Sequence, residues 1–155
     1  MAQAAELAPE LPGVWHSLGK AYGGALRWRE AESAMRRAIE LGSATPEVVG
    51  DLAAVLVYMK RADEAAVLVL SHAMRPQASP MLAWTWALVE LRRARHAEAL
   101  AHARAAADAG FKPGHANLIA AEAAHALGKI EEANEHEKRA RELGWTREKT
   151  PLFPD

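Results

Sequence analysis

The sequence repeats itself at a constant interval of about 34 residues, and this period constrains the fold more than any other feature. Four alanines, each preceded by glutamate, mark the register: Ala31, Ala65, Ala99 and Ala133. The register divides most of the chain into four blocks without insertion or deletion: 12–45, 46–79, 80–113 and 114–147. Such a period is typical of stacked supersecondary units, because each unit buries its apolar face only against its neighbours.

Each block predicts a first helix of about 13 residues, a short turn and a second helix. Pro46 and Pro80 suit the first position of a helix, where a missing N–H leaves no bond unmade. Thr45 and Ser79 precede these prolines as candidate N-caps. Glycines that suit helix C-termini lie just past three of the second helices: Gly42, Gly110 and Gly144.

The first block resembles the tetratricopeptide repeat, a helix pair of the same length. The resemblance is carried by large and small residues at the signature positions of that repeat: Trp15, Leu18, Gly19, Tyr22, Ala31 and Ala38. Small residues recur where the second helix would press on the first: Gly19, Ala53, Ala87 and Ala121. The resemblance implies an all-α fold, a right-handed superhelical solenoid of antiparallel helix pairs that forms one domain.

The two ends of the chain depart from the block pattern. Residues 1–11 continue the register backwards, and we interpret them as the end of a preceding repeat helix, in a piece of a longer array or an N-terminal cap. Residues 148–155 contain Pro151 and Pro154, which are incompatible with a full helix. We therefore predict an extended tail, with Leu152 and Phe153 either packed on the last helix pair or loose.

The resemblance also implies that the first helix of each block lines a concave groove. Apolar residues predicted to form a patch in the groove are Tyr58, Met81, Trp84, Leu88 and Leu118. An exposed apolar patch usually marks an interaction site, and Trp and Tyr are enriched among binding hot spots. The alternative is that Trp84 and Leu88 belong to the core. The polar rim of the predicted groove consists of His16, Lys20, Glu47, Arg92, Glu122 and His125.

The leading functional prediction is a non-catalytic scaffold that binds a protein or peptide segment in this groove. The segment is expected to be apolar, because among the positions that bind C-terminal carboxylates in the resembled family only Lys20 carries a suitable side chain. Two alternatives stay open. The chain is a regulatory or substrate-docking domain of a larger enzyme, or it self-associates into a homo-oligomer through uncapped end blocks.

Composition and motifs argue against other classes of function. The formal net charge is −1 and there is no cysteine, which disfavours nucleic-acid and anionic-membrane partners and excludes thiol chemistry. No apolar stretch approaches the roughly 20 residues of a membrane span. Glu122 and His125 form a Glu-x-x-His pair, but a metal site would need matching ligands on neighbouring helices. We therefore predict no enzyme activity, metal or cofactor, and leave the compartment open with a preference for the cytoplasm.

Basic residues recur near the turns between first and second helices: Arg27, Arg29, Lys60, Arg61, Arg92, Arg93, Arg95 and Lys129. They would form either a strip that binds an anionic ligand or an edge that is nearly neutral. The neutral edge is favoured, because acidic residues follow directly at the start of each second helix, where the helix dipole favours them.

Overall fold

A computed structural model describes residues 8–146, and this part of the chain consists of helices without strands. In chain order the α-helices are α1 Pro12–Gly24, α2 Trp28–Glu40, α3 Pro46–Tyr58, α4 Ala62–Ser71, α5 Pro80–Arg92, α6 His96–Asp108, α7 Pro113–Ala126 and α8 Ile130–Glu142. A short 3₁₀ helix, Pro76–Ala78, precedes α5. The predicted tail at 148–155 and residues 1–7 of the predicted preceding helix lie outside the described residues.

The helices pack as two units, one ending at Met74 and the other beginning at Arg75. In the first unit each helix from α1 to α4 packs on the next, and α1 also contacts α3. In the second unit α5 to α8 repeat this order, and α5 also contacts α7. Each unit therefore contains two consecutive helix pairs whose first helices touch.

Prolines and hydroxyl side chains define where the first helices begin. Proline occupies the first helical turn of α1, α3, α5 and α7. Thr45 Oγ1 accepts a hydrogen bond from the Val48 backbone N–H at 3.4 Å, and Ser79 Oγ accepts one from Leu82 at 3.2 Å. The two predicted N-caps are confirmed, since each satisfies a donor that the helix itself leaves unpaired.

The turns that close the helix pairs repeat the same backbone conformation in every block. Their positive-φ residues are Leu26, Lys60, Ala94 and Gly128, with φ of 58°, 65°, 58° and 72°. Only the last is a glycine, so the fold imposes the left-handed region on three residues that rarely adopt it. The predicted C-terminal glycines Gly42, Gly110 and Gly144 also have positive φ and are confirmed.

The second block breaks this regularity at its second helix. Helix α4 has 10 residues, whereas α2, α6 and α8 each have 13. Pro76 stands one block length after Gly42 and one block length before Gly110, and a proline cannot adopt positive φ. The chain instead leaves the helix early through Ala73, whose φ is 52°.

Small residues let the two helices of each pair approach closely. The alanines that mark the register, Ala31, Ala65, Ala99 and Ala133, are fully buried. A Cβ added to Gly19 would lie 2.6 Å from Met35 Cγ and 3.3 Å from the Ala31 carbonyl oxygen. The interlocking predicted at Gly19 is therefore confirmed: α2 packs where a side chain on α1 would otherwise stand.

Candidate interaction surfaces

In the first unit the predicted polar rim residues gather where α1 faces α3. His16 Nε2 lies 2.9 Å from Asp51 Oδ2, which joins the two first helices. The pKa of Glu47 is lowered because its carboxylate accepts hydrogen bonds from its own backbone N–H and from Thr45, with a smaller effect of His16. Lys20 is exposed on α1, one turn beyond His16. This face offers both charge signs at the surface.

Tyr58 is the predicted anchor that belongs to the first unit. Its ring stacks on Trp28 at a centroid distance of 4.9 Å and an interplanar angle of 29°. Burial raises the pKa of Tyr58 to about 12. The residue is partly exposed, so one part of the ring supports the packing of α2 on α3 while the remainder faces solvent.

The predicted apolar anchors of the second unit lie mostly in its interior. Trp84 is 3% exposed, Leu88 0% and Leu118 2%. They belong to α5 and α7, which contact each other. Met81 is partly exposed on the first turn of α5, and Arg92 is exposed at its end. In this unit Met81 and Arg92 are therefore the predicted residues of α5 that a partner reaches without moving other side chains.

Trp84 is held by a cluster of aromatic and polar groups that sequence reasoning missed. Its Nε1 donates a hydrogen bond to His115 Nδ1 at 2.9 Å. Burial, with a smaller contribution from the charge of Lys112, lowers the pKa of His115 to about 4, so at neutral pH the imidazole is uncharged and accepts this bond. Lys112 Nζ lies 3.7 Å from the centroid of the Trp84 ring, and Phe111 packs edge-on against the ring at 6.0 Å.

The pair Glu122 and His125 does not form a joint ligand set. His125 Nε2 lies 3.4 Å from Glu137 Oε1 on α8 instead. Within residues 8–146 the structure contains no group of three or more His, Asp or Glu side chains arranged to hold a metal ion. His125 therefore contributes to the contact between α7 and α8.

Two polar pairs, one partly buried and one buried, join first and second helices in the second unit. His102 Nδ1 lies 2.7 Å from Glu90 Oε2, and His136 Nδ1 lies 2.8 Å from Asn117 Oδ1. Burial lowers the pKa of His136. The two histidines hold the same position in consecutive blocks. Their common place in the fold was predictable from this register, although their different partners were not.

Four of the basic residues near the turns pair with the acids that follow them. At the start of each second helix a cation pairs with a glutamate three residues later, at N–O distances of 2.6–3.3 Å: Arg27–Glu30, Arg61–Glu64, Arg95–Glu98 and Lys129–Glu132. Arg61 also contacts Glu32 on α2 at 2.6 Å. The predicted neutral edge fits these pairs, and an anion would have to displace a carboxylate at each of them.

The outer face of α4 carries two large apolar side chains, which were not predicted from the sequence. Val67 is 66% exposed and Leu70 is 64% exposed. Beside Val67 runs a groove of about 400 Å³, lined also by Arg36, Leu56 and Leu68. The residues in the same register on the other second helices are also exposed but small or charged: Ser33 and Arg36, Ala101 and Arg104, Glu135 and Lys138. Alignment of the four blocks would have revealed the difference.

Two comparisons with known proteins give no family for this chain. No protein-family model matches the chain, and no curated protein sequence matches it. Among the described residues no helix is both long enough and apolar enough to cross a lipid bilayer.

Proposed function

We propose that this chain is a repeat scaffold of the tetratricopeptide type whose function is to bind a protein or peptide segment. The observation that carries the proposal is the recurrence of one helix-pair geometry: the same turn conformation and the same buried alanine return in each of the four blocks. Proteins built in this way present side chains along an extended surface, and that surface is what they use for binding.

The binding surface is assigned to the first helices, as the sequence predicted. In the first unit it consists of His16, Lys20, Glu47 and the exposed part of Tyr58. In the second unit it consists of the exposed or partly exposed residues Met81, Arg92, Glu122 and His125, together with the covered Trp84. Leu88 and Leu118 support this surface from the interior. The expected partner segment is apolar with polar flanks, because partly exposed apolar side chains lie among charged ones.

Selection of peptides from a displayed library against the purified chain tests this function. Binding of a selected peptide is then measured by calorimetry with Met81→Ala, with Arg92→Ala and with Lys138→Ala, a matched exposed residue on α8. Truncation of a binding anchor is expected to weaken the peptide by on the order of 2 kcal/mol. Lys138→Ala should leave the affinity unchanged. If selection yields no binder, or if all three variants bind equally, the first-helix surface is not the binding site.

Self-association is a second candidate function, and the apolar outer face of α4 favours it. Val67 and Leu70 are exposed beside a groove, and apolar surface of this kind drives association because water is released when it is covered. Sedimentation equilibrium over a range of concentrations, with the double variant Val67→Glu and Leu70→Lys as the comparison, tests it. A wild-type chain that stays monomeric at high concentration excludes it. Docking within a larger enzyme remains a prediction from the sequence.

A further inference from the structure

Trp84 and Phe111 form two walls of an aromatic corner in the second unit. Their ring centroids are 6.0 Å apart and their planes meet at 62°. The ammonium group of Lys112 lies in this corner, 3.7 Å from the Trp84 centroid and 5.7 Å from the Phe111 centroid. Aromatic faces attract cations through the ring quadrupole, and cages of such rings are used in proteins to recognise alkylammonium ligands.

The Trp84 wall of the corner is oriented by contacts that do not involve Lys112. Trp84 is fixed by its hydrogen bond to His115. His115 in turn packs edge-on against Trp145 at 5.4 Å. Trp145 is seated on Gly114, where an added Cβ would collide with its ring. The imidazole is uncharged at neutral pH, so it brings no positive charge that would repel a cation at the Trp84 ring.

A lysine at this position of the repeat is specific to the third block. Lys112 is exposed, whereas the Trp84 ring that its ammonium group contacts is 3% exposed. Its φ of 43° places it in the left-handed region that residues other than glycine rarely adopt. The residues in the same register of the other blocks are Ala44, Ala78 and Thr146, so the repeat does not require a cation at this position.

We propose that Trp84 and Phe111 form a binding site for an alkylammonium group, and that Lys112 occupies this site in the free protein. An incoming lysine or methylated lysine side chain displaces Lys112 and takes its place against the two rings. The idea that a partner protein supplies this lysine side chain rests on the proposed function. Binding of a small alkylammonium ion, by contrast, requires no partner protein, and the two ideas are tested separately.

Titration with choline, followed by the Trp84 indole N–H signal in ¹H–¹⁵N spectra, tests the site. Because Lys112 competes from within the chain at high effective concentration, Lys112→Ala is expected to tighten choline binding by about tenfold or more. Lys112→Arg, which keeps a cation over the ring, should bind as weakly as the wild type. Lys60→Ala is the matched control, since Lys60 is also a lysine with positive φ, 65°, and it lies outside the corner.

The neutral isostere 3,3-dimethyl-1-butanol separates attraction of charge from simple apolar contact. Equal binding of choline and this alcohol by Lys112→Ala would overturn the proposal, as would the absence of saturable shifts in that variant. If circular dichroism shows that Lys112→Ala is unfolded, Lys112→Gln replaces it with the same expectations.

A second arm compares choline with N-acetyl-trimethyllysine amide and identifies the source of the group. Tighter binding of the amino-acid derivative supports a lysine of a protein partner, and preference for choline overturns that part of the proposal. Failure of the peptide selection with successful choline binding would refute the proposed function and leave the site standing. The reverse outcome would refute the site alone.

Discussion

Helices α4 and α8 occupy the same place in their blocks but have opposite outer faces. Their inward alanines, Ala65 and Ala133, are both fully buried. Outward, α4 exposes Val67 and Leu70, whereas α8 exposes Glu135 and Lys138 at the matching positions. The fold therefore fixes what points inward and leaves the outward positions unconstrained. The departure from the polar pattern at Val67 and Leu70 is therefore not a demand of packing within the chain.

The largest difference between inward and outward positions is expected for leucines. Leu88 is 0% exposed and Leu70 is 64% exposed. Leu88→Ala should lower the free energy of unfolding by about 2–5 kcal/mol, because it leaves a cavity as well as removing buried surface. Leu70→Ala should change the free energy of unfolding by less than about 0.5 kcal/mol. Urea unfolding followed by circular dichroism measures both. Similar losses for the two variants would show that the outward leucine contributes to stability as much as the inward one.

A buried imidazole at an inward position should make stability depend on pH. The pKa of His115 is 6.5 in the unfolded chain, whereas burial lowers it to about 4 in the folded chain. Protonation between these values therefore favours the unfolded state. The stability that depends on a neutral His115 is fully present above pH 6.5 and is lost as the pH falls from 6.5 to about 4. The shift of the His115 pKa corresponds to roughly 3 kcal/mol, and His136 shifts in the same direction.

Urea unfolding at pH 7, 5.5 and 4 measures this dependence. In His115→Asn the amide oxygen can accept the bond from Trp84 Nε1 without titrating, so the slope between pH 6.5 and 4 should become shallower. An unchanged slope in this variant would show that other groups cause the loss of stability.

Two glycines of α1 differ in how much space surrounds them, and a smaller difference in stability is expected when each is replaced by alanine. A Cβ at Gly19 would lie 2.6 Å from Met35 Cγ, whereas a Cβ at Gly13 meets nothing within 4 Å. Gly19→Ala should reduce stability by about 1–3 kcal/mol through overpacking. Gly13→Ala should increase stability by about 0.5–1 kcal/mol, because alanine loses less conformational freedom in a helix. Thermal unfolding ranks the two, and a stabilising Gly19→Ala would mean that α2 does not press on α1 as described.

The local features of the fold were predictable from residues with a single structural role. Thr45 and Ser79 cap helices because their hydroxyls accept N–H bonds, and Gly19 is small because Met35 packs there. The early end of α4 escaped prediction, although Pro76 in the register of a C-terminal glycine explains it. A period predicts which positions recur, but a single proline decides where one helix stops.

The candidate site was less predictable, because it depends on side-chain partners that lie far apart in sequence. Trp84 was predicted as a binding anchor, with the core as the alternative. It is 3% exposed and contacts His115, Phe111 and Lys112, which lie in the loop and helix that follow α6. Periodicity assigns a face to a residue, yet it does not reveal that a lysine side chain folds over a ring. The block alignment did contain the signal for Val67 and Leu70, since the other blocks carry small or charged residues there.

The smallest effect is expected when outward residues are exchanged between second helices, because the fold does not use these positions. The double variant Val67→Glu and Leu70→Lys gives α4 the outward residues of α8, and the reciprocal variant Glu135→Val and Lys138→Leu does the opposite. The measurement is the free energy of unfolding of the first variant in urea, beside the wild type. The free energy of unfolding should change by less than about 0.5 kcal/mol. A loss on the scale expected for Leu88→Ala, about 2 kcal/mol or more, would show that the fold does use these outward positions.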